Sequence, residues 1–185
     1  LAGETIFAID PEVVQQRLET AFPELKSFEL AIGLPHTIVL SVEERTPVIA
    51  WIQDEEEVWV DDEGVGFMPR GEVEGLLRVN AQGLPPGAEL VGTNEDLLLP
   101  PELVETTLAL RAYLPEGAKL MYQPSRGFGW RDSRGWKVYF GQHLTDISQK
   151  LATYDTLVNT LNSQGVKPAL ISVEYLHAPY YRLEP

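Results

Sequence analysis

The side chains of this sequence that could do chemistry are three histidines, a run of carboxylates, and a group of aromatic and cationic residues near the C-terminus. His36, His143 and His177 stand singly, each beside a turn, and none has a second histidine or a cysteine at metal-ligand spacing. Cysteine is absent, which excludes disulfides, thiolate nucleophiles and thiolate-bound metals. There is no G-x-S-x-G elbow, Walker A loop, H-E-x-x-H pair or dinucleotide fingerprint. Arg126-Gly127-Phe128-Gly129-Trp130 carries glycines but opens no helix, so it makes no phosphate cradle. Asp54-Glu55-Glu56-Glu57 and Asp61-Asp62-Glu63 supply carboxylates in quantity. A glycosidase needs two carboxyls with opposed pKa values across a cleft, and a calcium loop needs alternating oxygens with a glycine at the bend. These acids flank hairpin turns instead, and they read as a solvated face. No catalytic residue, cofactor or metal is expected.

The C-terminal segment points to binding. Ala169–Tyr175 and Tyr180–Leu183 read as two strands around the break at His177-Ala178-Pro179. If they end a sheet, the last strand leaves N–H and C=O groups unpaired, and such an edge templates pairing with another chain. The edge reads Pro179-Tyr180-Tyr181-Arg182-Leu183, and aromatics and arginine concentrate binding energy at interfaces. A partner strand would add main-chain hydrogen bonds, with alternate side chains giving selectivity. The bland alternative is one tyrosine in the core and one decorating the edge.

Composition bounds the possibilities. The 185 residues are 44% hydrophobic and 23% charged, ordinary for a globular protein. Net charge is −14, from 14 basic and 28 acidic residues, which argues against a nucleic-acid backbone or an anionic lipid surface as partner. No apolar run approaches the ~20 residues that span a bilayer. The chain opens at Leu1 without a signal-like segment, so the expectation is a piece of a longer or processed protein with any anchor upstream. Charge is uneven: residues 1–75 hold 17 acids and 4 bases, and residues 76–185 hold 11 and 10. That split suggests two modules.

The elements that must position these groups follow from pattern. Asp10-Pro11-Glu12 starts a helix carrying Val14, Leu18, Ala21 and Phe22, stopped by Pro23. Lys26–Ile32 and Thr37–Val42 form a hairpin. Short strands follow at Val48–Gln53, Glu57–Asp61, Val65–Met68, Leu76–Ala81 and Ala88–Val91. A helix opens at Pro100-Pro101-Glu102 and runs through Leu114. Strands come next at Lys119–Gln123, Phe128–Arg131 and Trp136–Phe140. The longest helix starts near Thr145 or Asp146, carries Ile147, Leu151, Tyr154, Val158 and Leu161 on one face, and ends at a left-handed cap on Gly165. The reading is α+β, in modules 1–47 and 48–185.

Several stretches resemble the extracytoplasmic part of the bacterial cell-division family FtsQ/DivIB. Gly3-Glu4-Thr5-Ile6-Phe7-Ala8-Ile9-Asp10 is similar to the family's "G-x-N-I-F-x-V-D" before the second helix of a POTRA domain. Leu34-Pro35-His36-Thr37-Ile38-Val39-Leu40 and Val42-Glu43-Glu44-Arg45-Thr46-Pro47-Val48-Ile49-Ala50-Trp51 resemble the stretch that closes that domain. Val60-Asp61-Asp62-Glu63-Gly64-Val65-Gly66-Phe67 resembles the hairpin that opens the family's β domain, and Trp136 to Gly141 followed by Lys150-Leu151 resembles its "L-G … K-L" signature. The order and spacing of these motifs carry the resemblance. Three departures stand out. The first POTRA strand and helix would precede residue 1, Gln142 replaces the usual arginine, and Ser172-Val173-Glu174-Tyr175 replaces "D-L-R-Y".

The resemblance implies a partial POTRA domain over 1–47 and, over 48–185, a mixed β-sheet domain flanked by helices that ends in exposed C-terminal edge strands. It implies a non-catalytic scaffold of the divisome. Such a scaffold would hold the FtsB/DivIC–FtsL pair through its last strands and help control septal wall synthesis. The matching partner-binding positions are Tyr175, Leu176, His177, Ala178, Pro179, Tyr180, Tyr181 and Arg182, with Arg126 as the basic residue before a strand and Lys150 in the adjacent helix. Other divisome proteins would use the POTRA domain. The place implied is the outer face of the cytoplasmic membrane, through a single-pass anchor upstream of residue 1. The alternatives are a POTRA-type polypeptide-binding module of a transport or outer-membrane assembly system and, more remotely, an acidic secreted hydrolase.

Overall fold

The computed structural model describes residues 11–33, 37–92 and 96–184. The stretch Gly3 to Asp10, the turn Leu34-Pro35-His36 and the helix-capping reading of Asp10 lie outside the described residues.

Helix α1 (Pro11–Ala21) leads into β1 (Leu25–Gly33), which pairs antiparallel with β2 (Thr37–Glu44) in a two-stranded sheet. Every residue of β2 is exposed, among them Ile38, Val39, Leu40 and Val42, and no described element covers that strand. A nine-stranded sheet begins at β3 (Ile49–Gln53). It continues through β4 (Glu56–Val60), β5 (Gly66–Phe67), β6 (Leu77–Ala81), β9 (Lys119–Gln123), β10 (Gly127–Arg131), β11 (Lys137–Gly141), β12 (Leu170–Ser172) and β13 (Tyr180–Arg182). Its spatial order is β13-β12-β11-β10-β9-β6-β3-β4-β5, with β3–β6, β6–β9 and β11–β12 parallel and the other pairs antiparallel. Between β6 and β9 lie a small ladder of β7 (Glu89–Val91) with β8 (Asp96–Leu98), then α2 (Pro101–Leu110). Helix α3 (Ile147–Ser163) crosses from β11 to β12. The fold is α+β.

Alternation along the strands decides what the sheet buries. Val79, Leu120, Tyr122, Phe128, Trp130, Val138, Phe140 and Ile171 point to one face and join Val104 and Leu110 of α2 with Leu151, Tyr154, Val158 and Leu161 of α3 in one core cluster. Trp130, Phe140 and Tyr154 meet ring to ring at 4.5–6.0 Å, which seats α3 on the sheet. Gly165 at φ +68° ends that helix, and Val166 N–H donates to Leu161 O at 2.9 Å, as a Schellman cap does.

One expectation is corrected. Asp61 does not belong to a solvated acidic face: it is 1% exposed. Its Oδ1 accepts from Glu63 N and Val65 N, closing the turn before β5, and its Oδ2 accepts from Arg45 Nη1 at 2.5 Å. Arg45 also reaches Glu63 at 2.9 Å, and Lys26 lies 3.1 Å from the same carboxylate. A carboxylate this deep requires such partners, since an unpaired buried charge costs several kcal/mol. The pair joins the segment after β2 to the start of the large sheet.

Candidate partner-binding site

The last strand lies where the sequence places it, at one edge of the nine-stranded sheet. Register sets what it offers. Leu170 pairs with Arg182, Ile171 with Tyr181 and Ser172 with Tyr180, and Arg182 O accepts from Ala169 N at 2.8 Å. Tyr180 and Arg182 therefore turn their main-chain groups toward β12. By alternation, the N–H and C=O of Tyr181 face away from the sheet. Tyr181 is 43% exposed, Tyr180 is exposed beside it, and Arg182 sits over the Tyr180 ring with 5.6 Å from its guanidinium carbon to the ring centroid. Pro179, with no N–H to offer, shortens the edge at its start.

Beside this edge the connection from β12 to β13 walls a cleft of about 530 Å³. Tyr175, Leu176 and His177 form one side; Gln142, His143 and Asp146, after β11, form the other. Tyr175 is exposed, with its ring 5.9 Å from that of His177. His143 and His177, separate in sequence, share this cleft, and among the described residues no group of three potential ligands could hold a metal ion. His36 lies outside the described residues.

Two local features shape this end of the sheet. Gly127 has φ +72° at a bulge where Gly127 and Phe128 both oppose Gly141, and a Cβ there would meet Gly141 C at 1.9 Å. Only glycine fits such an approach. At the cleft floor Lys150 is 6% exposed, and its Nζ donates to Phe140 O at 2.7 Å and His143 O at 2.8 Å. Burial lowers its pKa, while Asp146 and Glu174 oppose that shift. The ammonium thus fastens the β11–α3 loop, with both bonds made inside the chain. The helical stripe already carried this signal: residue 150 lies three after Ile147 and four before Tyr154, so a lysine there belongs to the apolar face.

Arg126 sits at the same end of the sheet. Its guanidinium carbon lies 5.1 Å from the centroid of the Tyr139 ring, and its Nη1 is buried without a hydrogen-bond partner among the described residues. Tyr139 donates to Gln123 Oε1 at 2.9 Å, and burial pushes its hydroxyl pKa up. A buried cationic donor left unpaired is costly. Main-chain edge, cleft and arginine lie at the same end of the sheet.

No protein-family model matches the chain. A segment of 65 residues is 38% identical to the cell division protein FtsQ of Streptomyces coelicolor, covering 35% of this chain and 25% of that protein. A segment of the same length is 37% identical to FtsQ of Streptomyces collinus, with the same coverage. The matched region thus spans about a quarter of the length of these curated relatives. Their name is that of the family the motifs along the sequence resemble.

Proposed function

We propose that the chain is a non-catalytic scaffold of the division machinery that takes up an extended segment of an FtsB/DivIC-like protein, itself paired with an FtsL-like protein, by strand addition to β13. Residues 1–47 are read as a POTRA module and 48–185 as the β domain that carries the site. A single-pass anchor upstream would hold both at the outer face of the cytoplasmic membrane. The observation that supports the reading best is the edge itself: Tyr181 has outward main-chain groups and lies between an exposed tyrosine and an exposed arginine. The half-buried Arg126 at the same end of the sheet supplies the cation for an acidic residue of the incoming segment.

Calorimetric titration with the extracytoplasmic FtsB/DivIC-like segment of the same organism tests it. Tyr181→Pro removes one outward N–H and leaves the bonds to β12 in place. Micromolar or tighter binding that falls at least about ten-fold in this variant, at unchanged melting temperature, is the expected result. Equal affinity in the folded variant would refute strand addition at β13.

A further inference from the structure

The face of the sheet turned away from α2 and α3 carries a row of like charges that the fold leaves unneutralised. Lys119 on β9 lies directly opposite Arg131 on β10, Arg131 opposite Lys137 on β11, Lys137 opposite Leu170 on β12, and Leu170 opposite Arg182 on β13. On the other side the pairing of Val79 with Leu120 extends the row to Arg78 on β6. Opposed residues project from one face of a sheet. Their neighbours Val79, Leu120, Trp130, Val138 and Ile171 fill the helix-covered core, so the row points the other way. Lys119, Arg131 and Arg182 are exposed, and Lys137 is half-buried. Arg78 pairs with Glu57 at 2.5 Å, but among the described residues none of the other four cations makes an ion pair.

Such a row is unfavourable on its own. Like charges directly opposite across strands repel, and this chain has 28 acids with which they could have been interleaved. Five of the 10 basic residues of the segment 76–185 are gathered here, while the acids concentrate before residue 76. The row lies at the opposite end of the strands from Arg126 and the cleft, and it shares only Arg182 with the edge site.

We propose that the row is a docking site for an acidic polypeptide helix laid across the strands. Strands stand about 4.8 Å apart and a helix rises about 5.4 Å per turn, so carboxylates at i, i+4 and i+7 meet successive cations. Over three strand spacings such a helix drifts out of step by about 2 Å, whereas same-face side chains of an extended chain, about 6.6 Å apart, drift by about 5 Å. Leu170, the uncharged member of the row, is buried between Lys137 and Arg182, so the helix needs no acid at that step. The proposal does not depend on the edge-strand reading.

The test is titration of the whole chain, at low ionic strength, with a synthetic helical peptide bearing Glu at i, i+4 and i+7 along one face. A shuffled peptide of the same composition and inorganic polyphosphate serve as comparisons. The patterned helix should bind at least about ten-fold more tightly than either, and added salt should weaken it steeply. Lys119→Gln/Arg131→Gln/Lys137→Gln should abolish that preference while its melting temperature stays equal or rises, because repulsion is relieved. Tyr181→Pro should leave the preference intact. Equal binding of the shuffled peptide, tighter binding of polyphosphate, or no binding would each overturn the proposal. So would a fall in the melting temperature of the triple variant, which would give the row a structural role.

Discussion

Replacing Lys150 by methionine separates two roles for this residue. The resemblance makes it a partner contact, and the geometry makes it a fastener of the loop between β11 and α3. Methionine keeps the length and apolar stem but removes the ammonium. Phe140 O and His143 O then lose donors at 2.7 and 2.8 Å. Each buried acceptor left unpaired costs about 1–3 kcal/mol, and His143 O, near an exposed residue, regains part of that from water. Against this stands the relief of a buried charge, which offsets about half of that loss. The net expectation is a destabilisation of about 1–2 kcal/mol, or a fall in melting temperature of about 2–8 °C for a domain of this size. Urea unfolding of both proteins, with m held common, measures it, and titration with the division-protein segment gives the second readout. Stability should fall while affinity changes less than about three-fold. Unchanged stability with lost binding would refute the fastening role and make Lys150 a contact residue.

Two further perturbations probe the frame around the site. Arg45→Met leaves Asp61 buried with only its two main-chain donors, so stability should drop by about 2–4 kcal/mol, and adding Asp61→Asn should recover part of it. Denaturant midpoints of the two variants check this, and a loss below about 0.5 kcal/mol would contradict it. Asp132 is 2% exposed; hydrogen bonds from Arg134 first, then from the Tyr154 hydroxyl, hold its carboxyl down at about 2. A depressed carboxylate contributes stability above the ordinary Asp range that is lost as pH falls toward 2, so about 1–2 kcal/mol should disappear across that window after allowing for the half-exposed Arg134. Urea midpoints from pH 5 down to 1.5 should converge for the parent and Asp132→Asn, and curves that stay parallel would exclude the coupling.

Much of this structure was legible because its elements are marked locally. Pro11, Pro101 and Gly165 punctuate helices, the β-branched and aromatic runs form strands, and the Ile147–Leu161 stripe names the face that α3 buries. What escaped depends on distant partners. Strand β8 (Asp96–Leu98) is three residues long, too short for a period to register. Asp61 looked solvated because its neighbours Asp62 and Glu63 are exposed; its burial comes from Arg45, sixteen positions earlier, and from the turn it closes. At the candidate site the edge strand was visible, since Pro179 and two tyrosines mark the start of the chain's last strand. The cleft was not, because His143 and His177 meet only once β11 and β12 pair in parallel across α3. The cation row needs the register of six strands at once, and no local pattern holds that.

The most direct test of strand addition is the amide exchange rate of Tyr181, followed by NMR with and without the FtsB/DivIC-like segment. Free, its outward N–H should exchange quickly, while those of Leu170 and Ser172, turned toward β13, exchange slowly. On saturation the account predicts that Tyr181 slows by at least about ten-fold, together with the matching amides of the incoming strand. Saturable binding that leaves the Tyr181 rate unchanged would contradict it.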